Sequence, residues 1–235
     1  MLGSGTIAPG WLADGNPIAV NADDQRVPAL VRDGAGGAFV AWATSEPRVY
    51  LQRITGAGTI APGWPAGGLA MTNPAIHGGT PALAADGQGG VIVAWYDLRN
   101  NATSGSDIYA QRVTGAGAIA AGWPVDGVPV CIAPGGQGFD PAGRTVQAVS
   151  DGAAGAVVAW GDSRTSATTG RDLYAGRIGG NGAIPAGWPP TGVALCTVAG
   201  DQDEMSLVAD GAVGRSPRSP TGGSATRAAT SARST

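Results

Sequence analysis

The seven tryptophans of this 235-residue chain fall into two alternating contexts, and that alternation constrains the fold more than any other feature. One class closes a Gly-Trp element: APGW ends at Trp11 and Trp64, AAGW at Trp123 and PAGW at Trp188, at spacings of 53, 59 and 65 residues. The other class ends an apolar run: AFVAW at Trp42, VIVAW at Trp95 and AVVAW at Trp160. Every tryptophan therefore marks an internal repeat, and repeats of this length stack like units side by side to bury a shared core.

Each unit reads as four short strands. The first is PALVRD at 28–33, PALAAD at 81–86, TVQAVSD at 145–151 and SLVAD at 206–210, with apolar residues roughly alternating. A tight turn follows from Asp33 (DGAGG), Asp86 (DGQGG) and Asp151 (DGAAG), built from residues that tolerate positive φ. The apolar run ending in Trp is the second strand, continuous as expected for a strand buried on both faces. The third reads VYLQRI at 49–54, DIYAQRV at 107–113 and DLYAGRI at 172–178. A Gly-rich link then leads through the Gly-Trp element to a fourth strand around GLAMT, GVPVCI or GVALCT. Four antiparallel strands per unit predict an all-β fold of β-propeller blades. The chain holds about three and a half repeats, fewer than the roughly four to eight blades of a closed ring, so an incomplete propeller is expected. The repeat region spans 1–213, in units of roughly 1–54, 55–113, 114–178 and 179–213.

The Asp-Gly-x-Gly-Gly turn, the Val-Ala-Trp run and the series from Trp95-Tyr-Asp-Leu-Arg to Asp107-Ile-Tyr-Ala-Gln-Arg resemble the tandem repeats of large secreted bacterial β-propeller proteins, which are distantly sialidase-like. The resemblance implies an extracellular or cell-surface location and leaves the ligand open. The sialidase Asp-box is not matched, because the Asp-Gly turns lack its Ser and precede their Trp by nine residues.

Beyond Asp210 the repeat pattern stops, and 214–235 has the composition of a disordered segment. Read from the third base of each codon, GRSPRSPT can encode an apolar run and AATSA a Gly-Asp-Ile series, both near repeat register. The tail is thus expected to be disordered or a frameshifted remnant of a further blade. It carries four Arg and no acid, whereas the net charge of the whole chain is −3. An acidic repeat region disfavours nucleic acid as a partner. No apolar run reaches the roughly 20 residues of a membrane span, and no signal-peptide pattern opens the chain. All 14 cationic residues are Arg, which weakens any case for a catalytic lysine.

The most suggestive chemistry lies on the loops between second and third strands. Asp97 and Arg99 lead one such loop, which returns to Asp107; Asp162 and Arg164 lead another, which returns to Asp172. These six are the candidate ligand-binding residues, for a carbohydrate or protein ligand, with Ca²⁺ as the one cofactor their carboxylates could hold. The competing reading is structural: each Asp caps the loop backbone and pairs with the Arg two residues on. Arg53, Arg112 and Arg177 recur on the third strand, and the sialidase likeness raises an arginine triad for a substrate carboxylate; bridging between blades is the structural alternative. His77 reads as a solvated loop residue, and Cys131 and Cys196 as free thiols too far apart to pair. No catalytic or metal-ligating residue is assigned.

Two functions fit. One is a non-catalytic module with a binding or scaffold role, the other a fragment of a glycoside-hydrolase or sialidase-like propeller enzyme. An enzyme must break its own repeat symmetry, and nearly every polar landmark here recurs. Open blade edges also leave self-association as a partner expectation.

Overall fold

The computed structural model describes residues 6–20, 23–73, 75–138, 146–202 and 205–210. Twelve strands form three four-stranded antiparallel sheets, each a propeller blade, and the described residues include no helix. Blade I comprises β1 (Gln25–Arg32), β2 (Ala38–Thr44), β3 (Val49–Ile54) and β4 (Leu69–Ala70). Blade II comprises β5 (Gly78–Ala85), β6 (Val91–Asp97), β7 (Asp107–Val113) and β8 (Val128–Cys131). Blade III comprises β9 (Val146–Ser150), β10 (Ala156–Asp162), β11 (Asp172–Ile178) and β12 (Val193–Cys196). Spatial order follows chain order within each sheet, so the architecture expected from the repeat is the one observed.

The apolar second strands sit where both faces are covered. β2 and β3 of blade I pack with β6 of blade II in one core containing Phe39, Leu51, Val91, Val93 and Trp95. A second core joins blades II and III through Ile92, Ile108, Val130, Val158 and Trp160. The first strands lie next to one another, β1 beside β5 and β5 beside β9. On the far side of blade I the segment 11–19 lies over Val40, Trp42 and Ile54.

The ring of each Val-Ala-Trp tryptophan runs under the start of the fourth strand. A Cβ on Gly68, Gly127 or Gly192 would stand 2.5, 2.8 or 2.7 Å from the ring of Trp42, Trp95 or Trp160, and all three glycines have positive φ. Only glycine allows the strand to begin there.

Each hairpin turn after the first strand is held by its aspartate. Asp86 Oδ1 accepts from the Gln88 and Gly90 amides at 2.8 Å, while Arg112 donates to Oδ2 through Nε and Nη2 at 3.0 and 2.8 Å. Asp33 with Arg53 and Asp151 with Arg177 repeat the arrangement. Burial alone would raise the Asp33 pKa; the Ala35 and Gly37 amides and the Arg53 guanidinium outweigh it and hold the carboxyl below its ordinary range.

The first strand expected at SLVAD is not formed: 205–210 is described and carries no strand. A strand needs a hydrogen-bonded neighbour, and the segment expected to supply one starts beyond Asp210. The expectation of a disordered or frameshifted tail at 214–235 falls outside the described residues.

Candidate functional site

The loops leaving the second strands share one face of the molecule with the connections between blades. Leu98 N donates to His77 O, Ser163 N to Gly136 O and Gln137 N to Ser106 O, each at 2.8 Å. Gly135, with φ of 92°, leaves room for the next blade's loop, since a Cβ there would stand 2.7 Å from the Arg164 Cα. Loop and connection thereby frame a cleft of about 340 Å³ at the seam of blades II and III, lined by Leu98, Asn101, Gly105, Ser106, Gly136 and Ser163.

The six candidate residues form two equivalent clusters at the roots of these loops. Asp97 lies opposite Asp107 across β6 and β7, and Asp162 opposite Asp172 across β10 and β11, all four fully buried. Asp97 accepts from Trp95 Nε1 at 2.9 Å, from the Arg99 amide at 2.9 Å and from Arg99 Nε and Nη2 at 2.8 and 2.7 Å. Asp162 takes the same four donors from Trp160 and Arg164 at 2.5–3.0 Å. Burial works against the Arg99 charge, but Asp97 outweighs it and keeps the guanidinium protonated.

The second acid of each pair sits among neutral donors. Asp107 accepts from Asn100 Nδ2 at 2.8 Å and Ser104 Oγ at 2.9 Å, and burial raises its pKa above the ordinary value. Asp172 accepts from Thr165 and from Thr169 Oγ1 at 3.0 Å. With Asp97 and Asp162 ringed by N–H donors, calcium finds no cluster of three acidic, His or Cys ligands among the described residues.

Sequence spacing does not announce two further contacts. Arg99 lies over the Tyr109 ring at 3.7 Å and Arg164 over Tyr174 at 4.0 Å, cation–π contacts that lock each loop root to the third strand. Their signal was the joint recurrence of Arg and Tyr in two units and its failure in the first, where Tyr50 stacks on Trp42 at 5.8 Å instead. Blade I carries Thr44 where the others carry Asp97 and Asp162, and among the described residues Trp42 Nε1 correspondingly has no hydrogen-bond partner.

The repeated arginines serve the opposite end of the strands. Arg53 Nη1 and Trp64 Nε1 both donate to Gly115 O, at 2.9 and 3.0 Å; Arg112 Nη1 and Trp123 Nε1 share Gly180 O at 3.0 and 2.9 Å. Each pair clasps one blade to the link of the next. Cys131 is a buried free thiol whose pKa burial raises, Cys196 is a half-buried free thiol, and His77 is exposed.

No protein-family model matches the chain, and no curated protein matches it. Among solved structures it is similar to an endo-arabinase from Bacteroides thetaiotaomicron VPI-5482, at 14% identity and a TM-score of 0.50 over 80% of this chain. An α-L-arabinofuranosidase from Lactobacillus brevis matches at 9% identity and a TM-score of 0.42 over 77% of this chain. The chain spans 66% and 55% of the lengths of those two proteins, and at these identities the likeness is one of fold.

Proposed function

We propose that the chain is part of a glycoside-hydrolase-like propeller and that its described blades bind a neutral glycan on the loop face. The observation that supports this most is the cleft at the II/III seam. Its side-chain polar groups are the uncharged Asn101, Ser106 and Ser163, beside the apolar Leu98 and the glycines Gly105 and Gly136. Arg99 and Arg164, which lead the loops that line it, are paired with Asp97 and Asp162 at the loop roots. Hydrogen-bonding groups without net charge suit hydroxyls better than a carboxylate or phosphate. A sialic-acid reading has less support, because Arg53, Arg112 and Arg177 are spent on Asp33, Asp86 and Asp151. The recurring acids likewise hold turns and loop roots, so the reading assigns binding to these blades and leaves the hydrolytic carboxylates unassigned.

The endo-arabinase likeness makes arabinan oligosaccharides the first probe. Calorimetric titration is expected to show saturable binding that the Asn101→Ala/Ser163→Ala double variant weakens at least tenfold. No binding to arabinan, or to any other neutral glycan on an array, removes the proposal. Release of reducing sugar by the chain alone would favour a complete catalytic site over a binding role.

A further inference from the structure

The clasp between blades is made twice in the chain, and its donor half stands ready a third time. Arg53 and Trp64, Arg112 and Trp123, and Arg177 and Trp188 share one 11-residue spacing. Arg177 is already aligned by Asp151, through Nε at 2.9 Å and Nη2 at 2.8 Å, as Arg53 is by Asp33 and Arg112 by Asp86. Among the described residues no carbonyl receives Arg177 Nη1 or Trp188 Nε1. The surface around this pair is uncovered as well. Ala133 of blade II is 4% exposed beneath blade III, while its counterpart Val198 is 63% exposed; Cys131 is 1% exposed, while Cys196 is half-buried.

The acceptor half stands at the other end of the chain. The blade I link, Thr55 to Gly58, matches the links that hold Gly115 and Gly180, but among the described residues Gly56 O receives one indole, Trp11 Nε1 at 2.9 Å, and no guanidinium. That indole belongs to an N-terminal arm, 6–20, without a strand of its own. Besides the Trp11 bond, Asn16 Nδ2 donates to Gly58 O at 2.9 Å, and Ile18 and Ala19 lie over the blade I face. Leu12 and Val20 of the arm are exposed.

We propose that a second copy of this chain docks head to tail, the open face of blade III meeting the blade I face of its partner. Arg177 and Trp188 take the partner's Gly56 carbonyl, and the arm, which occupies that carbonyl through Trp11, is displaced. The contact is the interface already made between blades I and II and between II and III, continued across two molecules. It is heterologous, so its repetition gives a ring if the rotation closes and a filament if it does not. The arm acts as a plug that competes with the partner.

Sedimentation of the full chain over a range of concentrations tests this. Association is expected, weakened at least tenfold by Trp188→Ala and strengthened several-fold by Trp11→Ala. Trp188 is half-buried within its own chain, so Trp188→Phe, which keeps an aromatic ring there and removes the indole donor, serves as the control for folding: it should melt close to the wild-type monomer and still weaken association. A wild type that associates only once Trp11 is replaced also supports the proposal. A monomer at every concentration in both proteins overturns it, as does association indifferent to Trp188→Ala. Hydrogen exchange on the monomer closes the remaining case: if β12 is already protected, another segment of the same chain covers the face and the second copy does not.

Discussion

Two acids facing each other across a strand pair serve different purposes because their donors differ. Asp97 is ringed by the Trp95 indole and the amide and guanidinium of Arg99, whereas Asp107 has the neutral Asn100 and Ser104. Desolvation therefore dominates at Asp107 and raises its pKa in the folded chain above the ordinary 3.8. The folded state holds that proton more tightly than the unfolded one. The contribution to stability is full below about pH 4 and is lost as pH rises through the raised value. Asp107→Asn keeps a neutral group in place at every pH. The variant's melting temperature, relative to wild type, is expected to rise by a few degrees between pH 3.5 and pH 7. A difference that stays constant across that range would show that the burial of Asp107 carries no cost in charge.

At the scale of elements, the strands were legible because turn, apolar run and third strand recur with their spacing intact. VYLQRI, DIYAQRV and DLYAGRI coincide with β3, β7 and β11 residue for residue. The loop-root clusters were half legible: adjacent Asp and Arg announced a pair, but the stacking of Arg99 on Tyr109 depends on cross-strand register, which spacing along the chain does not reveal. The seam cleft was not legible at all, since it is lined by loops of two blades brought together by packing. The turns carry one departure with a measurable effect. The fourth turn position is Gly36 at φ 87° and Gly89 at φ 85°, but Ala154 at φ 66°. A side chain in this left-handed region costs about 1–2 kcal/mol, partly offset by the greater freedom of glycine in the unfolded chain. Ala154→Gly is expected to stabilise by roughly 0.5–1 kcal/mol. A urea midpoint equal to or below that of wild type would contradict the strain.

Across the whole molecule, stability is set by how many neighbours a blade has. Blade II is covered on both faces, and all of β5 except its last residue is buried. Blade I turns β1 outward, with Leu30 at 64% exposure, and blade III leaves Val193 of β12 at 41%. In stacked repeats each interface adds to the stability of the units it joins, so the central unit opens last. Amide exchange in the dilute monomer is expected to be slowest in β6 and β7, faster in β2, β3, β10 and β11, and fastest in β1 and β12. Breaking one clasp sharpens the test. Trp123→Phe keeps an aromatic ring on the link of blade III but removes the indole donor to Gly180 O. Blade III should then exchange faster while β2 and β3 are unchanged, since their interface is clasped separately through Trp64. Equal acceleration in all three sheets would mean that the chain opens as one unit, and the seams would not be the joints along which it comes apart.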